Sequence, residues 1–491
     1  MYDLLHLSVV SVIAFWLGWL LRALALFVIP PNRKPTSSMA WLSIIFLAPI
    51  FGWIVFLTLG TNKLPKSRRD IQKTLDHSIE ATLKSLRRQH EGVNAIIDAP
   101  VPIKYASISK LAKALAHLPV FSRNTVRIIN TYDTLFTELV SDIDAAGESV
   151  YLEFFIITFD NTTEPVFDAL ARAAHRGLDV RVLYDYVGSH KYPGYRKMKR
   201  RFKEDGIVAH SMLPIRLPTR GYVRPDLRNH RKLAIFDHTI GYTGSQNLIA
   251  RGYHRKDDLI YDELMVRIEG PLATQLFAVF STDWFSETGE AIAHGAKEIN
   301  PSLLDEPEGD LLQLVPSGPG YEDENNLKLF AQAIYTAQSS IMMVNPYFVP
   351  TDELMTALIS AARRGVTIRL VNSAAIDQWF VAHAQRSYYE ALLKAGVEIY
   401  LYNKPILLHA KYIVIDGEAT MVGSSNFDIR SFELDHELTL VSYTSSFAGK
   451  MNALAQEYIA RSRPLDAKRW FTRGFIRKAL DSLARLSSSL Q

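Results

Sequence analysis

Two patterns of hydrophobic and polar positions divide this chain, and the change falls near residue 60. Before that point the apolar residues follow no short period. Leu4 to Ile29 has only His6 and Arg22 as titratable groups, and Met39 to Leu59 has no charge, with Pro49 and Gly52 inside it. Roughly 20 such residues cross a hydrocarbon layer of about 30 Å as a helix. Residues 1–60 are therefore expected to form a hairpin of two transmembrane helices. A cleaved signal peptide fits the first stretch poorly, since Asp3 stands where basic residues belong and the run is too long. A buried hairpin of a soluble fold is the remaining alternative. Arg33 and Lys34 lie in the connector, and Lys63, Lys66, Arg68, Arg69 and Lys73 follow the second stretch. The larger basic cluster favours a cytoplasmic side for what comes next. Residues 61–105 read as a charged helical linker, with Pro100 and Pro102 near its end.

Beyond the linker, alternating runs and helical periods take turns. Ser149 to Ile157 and Ser340 to Val344 read as apolar strands. The first precedes RAAHRGLDVRVL, starting at Arg172, and the second precedes SAARRGVTIRLV, starting at Ser360. Each is followed by a lysine-bearing helix ending near glycine, at Lys203 to Gly206 and Leu393 to Gly396. A repeat of this length is a duplicated domain rather than a solenoid. The expected fold class is α/β, with two duplicated domains of mixed sheets flanked by helices, packed face to face behind the transmembrane hairpin. Their expected bounds are 106–315 and 316–491.

The duplication carries chemistry. HRKLAIFD followed by TGSQN occurs once, and HAKYIVID followed by VGSSN occurs again. His230, Lys232, Asp237, Gly244, Ser245 and Asn247 share their spacing with His409, Lys411, Asp416, Gly423, Ser424 and Asn426. Six fixed positions match by chance at about one starting point in ten million. Residues two apart on a strand share a face, so each His points with its Lys. Asp416-Gly417 marks a hairpin turn, and each return strand brings a Gly-Ser-x-Asn loop back beside its His and Lys. One imidazole can attack phosphorus while another donates to the leaving alkoxide and later deprotonates the incoming alcohol. Lys232 and Lys411 would neutralise phosphate charge, and the Ser and Asn groups would bind its oxygens. Each imidazole needs an acceptor on its second nitrogen. Glu263 follows the first motif and Glu437 the second, and they are expected to serve, with Asp262 as an alternative to Glu263. Asp237 and Asp416 are candidate catalytic residues that also fit simple turn caps.

Composition narrows the setting. The 491 residues are 48% hydrophobic and 22% charged, with no cysteine, which rules out disulfides and thiolate metal sites. A net charge of +4 is too small to argue for nucleic acid. Basic residues do cluster, at Lys197 to Lys203 and Arg461 to Lys478. The stretch AKRWFTRGFIRKALDSLARL sets Trp470, Phe471, Phe475, Leu480 and Leu483 among cations. It fits either an anionic membrane surface or a docked terminal helix with a solvated basic face. Tyr347, Phe348 and Trp379 fit an acyl-chain entrance or the core.

The paired motifs resemble the HKD motifs of the phospholipase D superfamily, and nearly the whole chain is similar to its bacterial cardiolipin synthase branch. RPDLRNHRK, LMVRIEGP, SGP at Ser317 to Pro319, NPYFVPTDEL and SSNFDIRSF carry the resemblance. Leu434-Asp435-His436-Glu437 departs from the usual Leu-Asn-Phe-Glu, and Gly244-Ser245 stands where Gly-Gly is common. The resemblance implies a ping-pong transfer through a phosphohistidine, without metal or other cofactor. His230 would be the nucleophile and His409 the general acid, although the near-symmetry of the motifs allows the reverse. It further implies two phosphatidylglycerol molecules converted to cardiolipin and glycerol at a bacterial inner membrane. A hydrolytic phospholipase D and a phosphodiesterase or nuclease of the same superfamily are the alternatives.

Overall fold

A computed structural model gives the structure of residues 2–31, 33–61, 63–74, 81, 84, 95–215, 222–254, 259–292 and 308–486, with side chains described from residue 11 onward. The chain divides into two compact units, Met1–Pro65 with Ile215–Asp226, and Lys66–Pro214 with Leu227–Gln491.

In the first unit the helix Tyr2–Val28 is, among the described residues, the one helix long and apolar enough to cross a membrane. The second apolar stretch is not a single span. It breaks into helices Pro35–Leu47 and Pro49–Leu59. Ala48 leaves helical geometry at φ −138° and ψ 82°, because Pro49 offers no N–H and disfavours a helical conformation in the residue before it. The two short helices fold back on each other. The Trp41 and Phe56 rings lie 5.5 Å apart, edge to face, and the Arg33 guanidinium donates to the Gly60 carbonyl. Gly52 permits the close approach, since a Cβ there would lie 2.7 Å from the Ile45 Cα. Helices of 13 and 11 residues reach about 20 and 16 Å, short of a bilayer core of about 30 Å. The expected two-span hairpin is thus one long helix followed by a short apolar helical hairpin. Ala25, Ile29, Ile45 and Phe56 form the core of this unit, and Trp53 donates to the Leu21 carbonyl at 2.9 Å.

Of the linker, residues 66–74 are helical and Ile103–Tyr105 form a 3-10 turn. Most of the charged helix expected between them lies outside the described residues.

The second unit holds both copies of the repeat. The first half contributes β1 (Phe121–Ile129), β2 (Ser149–Phe154), β3 (Asp179–Asp185), β4 (Val208–Met212), β5 (Lys232–Phe236), β6 (Ile240–Gly244), β7 (Ile260–Asp262) and β8 (Met265–Glu269). The second contributes β9 (Asp310–Ser317), β10 (Ser340–Asn345), β11 (Phe348–Val349), β12 (Thr367–Ser373), β13 (Glu398–Tyr402), β14 (Ile406–Leu408), β15 (Tyr412–Ile415), β16 (Ala419–Gly423), β17 (Phe427–Asp428), β18 (Glu437–Ser442) and β19 (Ser462–Pro464). Sheet order in the first half is β1-β8-β6-β5-β2-β3-β4. In the second it is β9-β18-β16-β15-β10-β12-β13-β19, the same arrangement strand for strand with β19 added. Helices Glu164–His175 and Asp352–Arg363 make the equivalent crossovers to parallel strands β3 and β12.

The halves do not keep separate sheets. β1 pairs antiparallel with β9, so one 15-stranded sheet runs through both halves, edge to edge rather than face to face. That junction also moves the division between them. The expected boundary at 315/316 cuts through β9, which pairs with β18 from Ser317 opposite Glu437 to Leu312 opposite Ser442. Helix Ala106–Ala116, expected to open the first domain, packs on β9 and on helix Asn325–Thr336 of the second half.

Two smaller pairings cross between the halves on the strand-end side of the sheet. β7 runs parallel to β14, with Asp262 opposite Leu408. Asn229 forms a parallel bridge with His436. These crossings set up the site.

Candidate active site

Each motif histidine follows one of the crossing strands. Leu408 ends β14 and His409 comes next, its N–H donating to the Asp262 carbonyl at 2.7 Å. Asn229 makes the bridge, and the His230 N–H donates to the His436 carbonyl at 2.9 Å. The residues after these two carbonyls are Glu263 and Glu437. The acceptors are therefore exchanged between halves. His230 Nδ1 donates to Glu437 Oε1 at 2.9 Å, and His409 Nδ1 donates to Glu263 at 2.8–2.9 Å. Chain order, which sets each Glu after the motif of its own half, conceals this crossing. Asp262, the alternative to Glu263, turns elsewhere, to Arg251 and to the Tyr402 hydroxyl at 2.7 Å.

With Nδ1–H committed to a carboxylate, each Nε2 retains its lone pair. Among the described residues neither Nε2 has a hydrogen-bond partner. Each lysine folds over its own histidine, Lys232 Nζ donating to the His230 carbonyl at 2.6 Å and Lys411 Nζ to the His409 carbonyl at 2.5 Å. Lys411 and Lys232, one from each motif, both disfavour a charge on the His409 ring. The two motifs thus share one electrostatic cluster.

The serines have a different task from the expected phosphate contact. Ser245 Oγ donates to Glu263 at 2.5 Å and accepts from the Leu264 N–H at 2.9 Å. Ser424 Oγ donates to Glu437 and accepts from the Leu438 N–H at 3.0 Å. They hold the carboxylates that hold the imidazoles. Ser245, in place of the commoner glycine, gives the first half the same brace as the second. Asn247 Oδ1 accepts from the Ile156 N–H at 3.2 Å, which anchors its loop. Asn426 keeps a buried amide oxygen unpartnered among the described residues; that atom accepts and has no proton to give to a phosphate oxygen.

Asp237 and Asp416 are not at the imidazoles. Each lies at the far end of its motif strand, Asp237 about 16 Å of extended chain beyond Lys232, in a left-handed turn with φ near 50°. Asp237 accepts from the N–H groups of Gly147, Glu148 and Ser149 at 2.7–2.9 Å. Asp416 accepts from Gln338, Ser339 and Ser340 and pairs with Lys104 at 2.8 Å. Both carboxylates clip the start of the neighbouring strand, which corrects their expected catalytic role to the turn-cap reading.

Burial sets the charge states. It pushes His230 down to about 4, aided by Lys232, and takes His409 well below its ordinary range, aided by Lys411. Both rings are neutral at pH 7. Burial also lowers Lys232 to about 8 and Lys411 to about 7. The two glutamates diverge. Burial raises Glu263 to about 7. Burial acts on Glu437 too, but the His230 contact, Lys232 and the Ser424 hydrogen bond outweigh it and hold that carboxyl down at about 2.

The walls beside the rings also differ. Phe155 meets His230 at 5.1 Å. Tyr261 and Tyr347 meet His409 edge-on at 5.4 and 6.3 Å, and both hydroxyls donate to Asp377, at 3.3 and 2.6 Å. Sequence reading passed over Tyr261 and Asp377, because no spacing links them to the motifs; Tyr261 is found only as the β7 neighbour of the crossing. Phe348 is core and Trp379 is exposed. His436, where phenylalanine is usual, is buried with neither ring nitrogen bonded. Burial and Arg231 push it down to about 3, so it packs as a neutral ring.

A family model for "Cardiolipin synthase, PLD-like domain" matches residues 139–284 and 330–459. Cardiolipin synthase A of Erwinia tasmaniensis is 32% identical over 488 residues, spanning 99% of this chain and 98% of that protein. The Proteus mirabilis protein of the same name is also 32% identical, over 98% of this chain and 99% of its own length. In fold, the chain is similar to the crystal structure of a phosphatidylserine synthase from Haemophilus influenzae. The TM-score is 0.58 at 14% identity, covering 78% of this chain and 99% of that one.

Two tests follow from this geometry. Asp237→Asn and Asp416→Asn are expected to lower stability by about 1–3 kcal/mol each and to leave kcat within roughly twofold, read by thermal unfolding and initial rates. A folded variant whose kcat falls by orders of magnitude would return these residues to the chemistry. For pH, an anion bound between the lysines favours their charged forms, so binding above pH 7 takes up protons and weakens as pH rises. Sulfate, whose own charge is constant over the range, should bind at least about tenfold more weakly at pH 9 than at pH 7. An affinity flat across that range, measured by calorimetry, contradicts the lysine assignment.

Proposed function

We propose a reaction course for this chain, which belongs to the cardiolipin synthase, phospholipase D-like family. The chain is a phosphatidyltransferase of the cardiolipin synthase type. The observation that carries the reading is the crosswise pair of imidazole–carboxylate contacts, by which each half orients the imidazole of the other and leaves both Nε2 atoms without a partner among the described residues.

The substrate is phosphatidylglycerol. Its phosphodiester lies between Lys232 and Lys411. His230 Nε2 attacks phosphorus. The bond to the glycerol oxygen breaks, and that oxygen takes a proton from His409 as glycerol leaves. The terminal hydroxyl of a second phosphatidylglycerol then gives its proton to His409 and attacks the phosphatidyl-His230. Cardiolipin forms and His230 is released.

The different environments of the two carboxylates support this division of roles. The His409–Glu263 pair retains a proton up to about pH 7; with that proton held between Glu263 and Nδ1, the imidazole carries its other proton on Nε2, where the leaving oxygen takes it. The His230–Glu437 pair has no proton to give, because Glu437 stays ionised; its carboxylate instead stabilises positive charge on a phosphorylated ring. Tyr261 and Tyr347 give the His409 side a polar wall suited to an alcohol, whereas Phe155 gives the His230 side an apolar one.

The helix Tyr2–Val28 anchors the protein in the bacterial inner membrane as a single crossing. The apolar hairpin after it returns to the side it entered, since Arg33 meets Gly60 at its two ends. Arg33 and Lys34 at one end, and Lys63, Lys66, Arg68 and Arg69 at the other, put that side and the catalytic unit in the cytoplasm.

Full-length protein given labelled phosphatidylglycerol should release cardiolipin and glycerol in equal amounts. Phosphatidic acid as the sole lipid product would favour hydrolysis instead. A phosphatidyl ester with a nitrophenolate leaving group needs no general acid and separates the two histidines. On it, His409→Ala should give one burst of nitrophenolate per enzyme and then stall with the lipid bound to His230, whereas His230→Ala should give no burst. The reverse pattern would exchange the assignments, and bursts from both variants would remove the covalent step.

A further inference from the structure

A terminal helix docked on a globular unit ordinarily turns its apolar side inward. The helix Phe475–Arg485 does the opposite. Phe475, Ile476, Leu483 and, just beyond, Leu486 are 85%, 74%, 63% and 79% exposed, while Asp481 and Ala484 are buried. The polar side fastens the helix. Asp481 accepts from Arg473 at 2.7 Å and from His383 Nδ1 at 2.8 Å. Of the two readings of this stretch from sequence, a docked helix with a solvated basic face does not leave Phe475 and Ile476 uncovered, whereas an anionic membrane surface does call for exposed apolar side chains.

The apolar surface continues onto the helix Trp379–Ala395, against which the terminal helix packs. Trp379 and Phe380 are more than half exposed, and the Trp379 ring lies 4.3 Å from the ring of His383, the partner of Asp481. Asp377, two residues before Trp379, receives the hydroxyls of the tyrosines beside His409. The surface therefore borders the His409 side of the site.

Charge identifies the occupant. Residues 466–486 contain six Lys and Arg against two Asp, a net +4, equal to the net charge of the entire chain, so the remainder sums to zero. From residue 467 to 480 there is no carboxylate, and Lys468, Arg469 and Arg477 are exposed among the large apolar side chains. Apolar side chains entering an acyl layer with cations at the headgroup phosphates are what an anionic bilayer accepts. We propose that the helix Phe475–Arg485 and the Trp379–Phe380 turn form a docking surface that lays the catalytic unit on an anionic bilayer, in addition to the anchor supplied by the helix Tyr2–Val28. This does not depend on the order of chemical steps at the histidines.

The chain contains no cysteine, so a single one can be placed at Ile476, at Leu483 or, as a distant exposed control, at Ser141, and labelled with an environment-sensitive fluorophore. In full-length protein reconstituted into vesicles, acyl-chain quenchers should quench the probes at 476 and 483. The quenching should be about threefold stronger with phosphatidylglycerol present than in pure phosphatidylcholine, and the probe at 141 should stay dark to the quencher. Ile476→Asp combined with Leu483→Asp alters two exposed positions and should lower transfer in vesicles about tenfold, with the rate in detergent micelles of the same lipid kept within about twofold. Absence of quenching at 476 and 483, equal quenching at 141, cross-linking of these positions between two copies in place of quenching, or full vesicle activity of the double variant would each overturn the proposal.

Discussion

The catalytic geometry depends on one exchange of hydrogen bonds, in which each imidazole is oriented by a carboxylate of the other half. His230 is held by Glu437 and His409 by Glu263, and the backbone beside each pair is tied by a parallel pairing that crosses between halves. Neither half contains a complete imidazole–carboxylate unit. Duplication alone would give two weak sites; the crossing gives one site in which both units are fixed by the same interface. The β1–β9 pairing joins the two halves a second time, in the sheet itself.

Pseudo-symmetry of the backbone does not extend to the charges. The Ser–Glu–His relays match closely in geometry, yet one carboxyl is held ionised and the other retains a proton to about pH 7. A two-step transfer needs this. An attacking imidazole must be neutral on Nε2 and gain from a nearby anion as it becomes cationic, whereas a general acid must arrive with a proton. One phenylalanine on one side and two carboxylate-linked tyrosines on the other provide a steric and polar difference on the same axis.

Much of this was legible in the sequence, for physical reasons. A period of two puts His and Lys on one strand face, and the order strand, helix, strand recurs in both halves, so the α/β class, the duplication and the motif hairpins follow from local pattern. What the pattern could not carry is pairing at long range. The exchange of Glu263 and Glu437 joins residues 207 and 146 positions apart, and the single sheet depends on β1 finding β9 across the whole first half. Likewise, the Ser and Asp residues of the motifs have the right chemistry for phosphate or catalysis, but only coordinates reveal that their oxygens are occupied by Glu263, Glu437 and backbone N–H groups. Pro49 was visible as an interruption. That it folds the second apolar stretch back on itself depends on Gly52 meeting Ile45, a contact between turns that no periodicity encodes.

Burying two lysines, two glutamates and two imidazoles together is costly unless their charges offset one another. Here they do so only as a group. Lys232 is favoured by Glu437 and Glu263, each half supplying one of the two, and Lys411 by the same pair. Even so, burial leaves both lysines below their ordinary range, so a further negative charge between them is favourable. A phosphodiester supplies that charge. In the proposed reaction the phosphodiester offsets the desolvation of the two ammoniums, which a neutral headgroup would not do. Selectivity for an anionic phosphodiester is thus built into the electrostatics of the interface, ahead of any contact with the alcohol or the acyl chains.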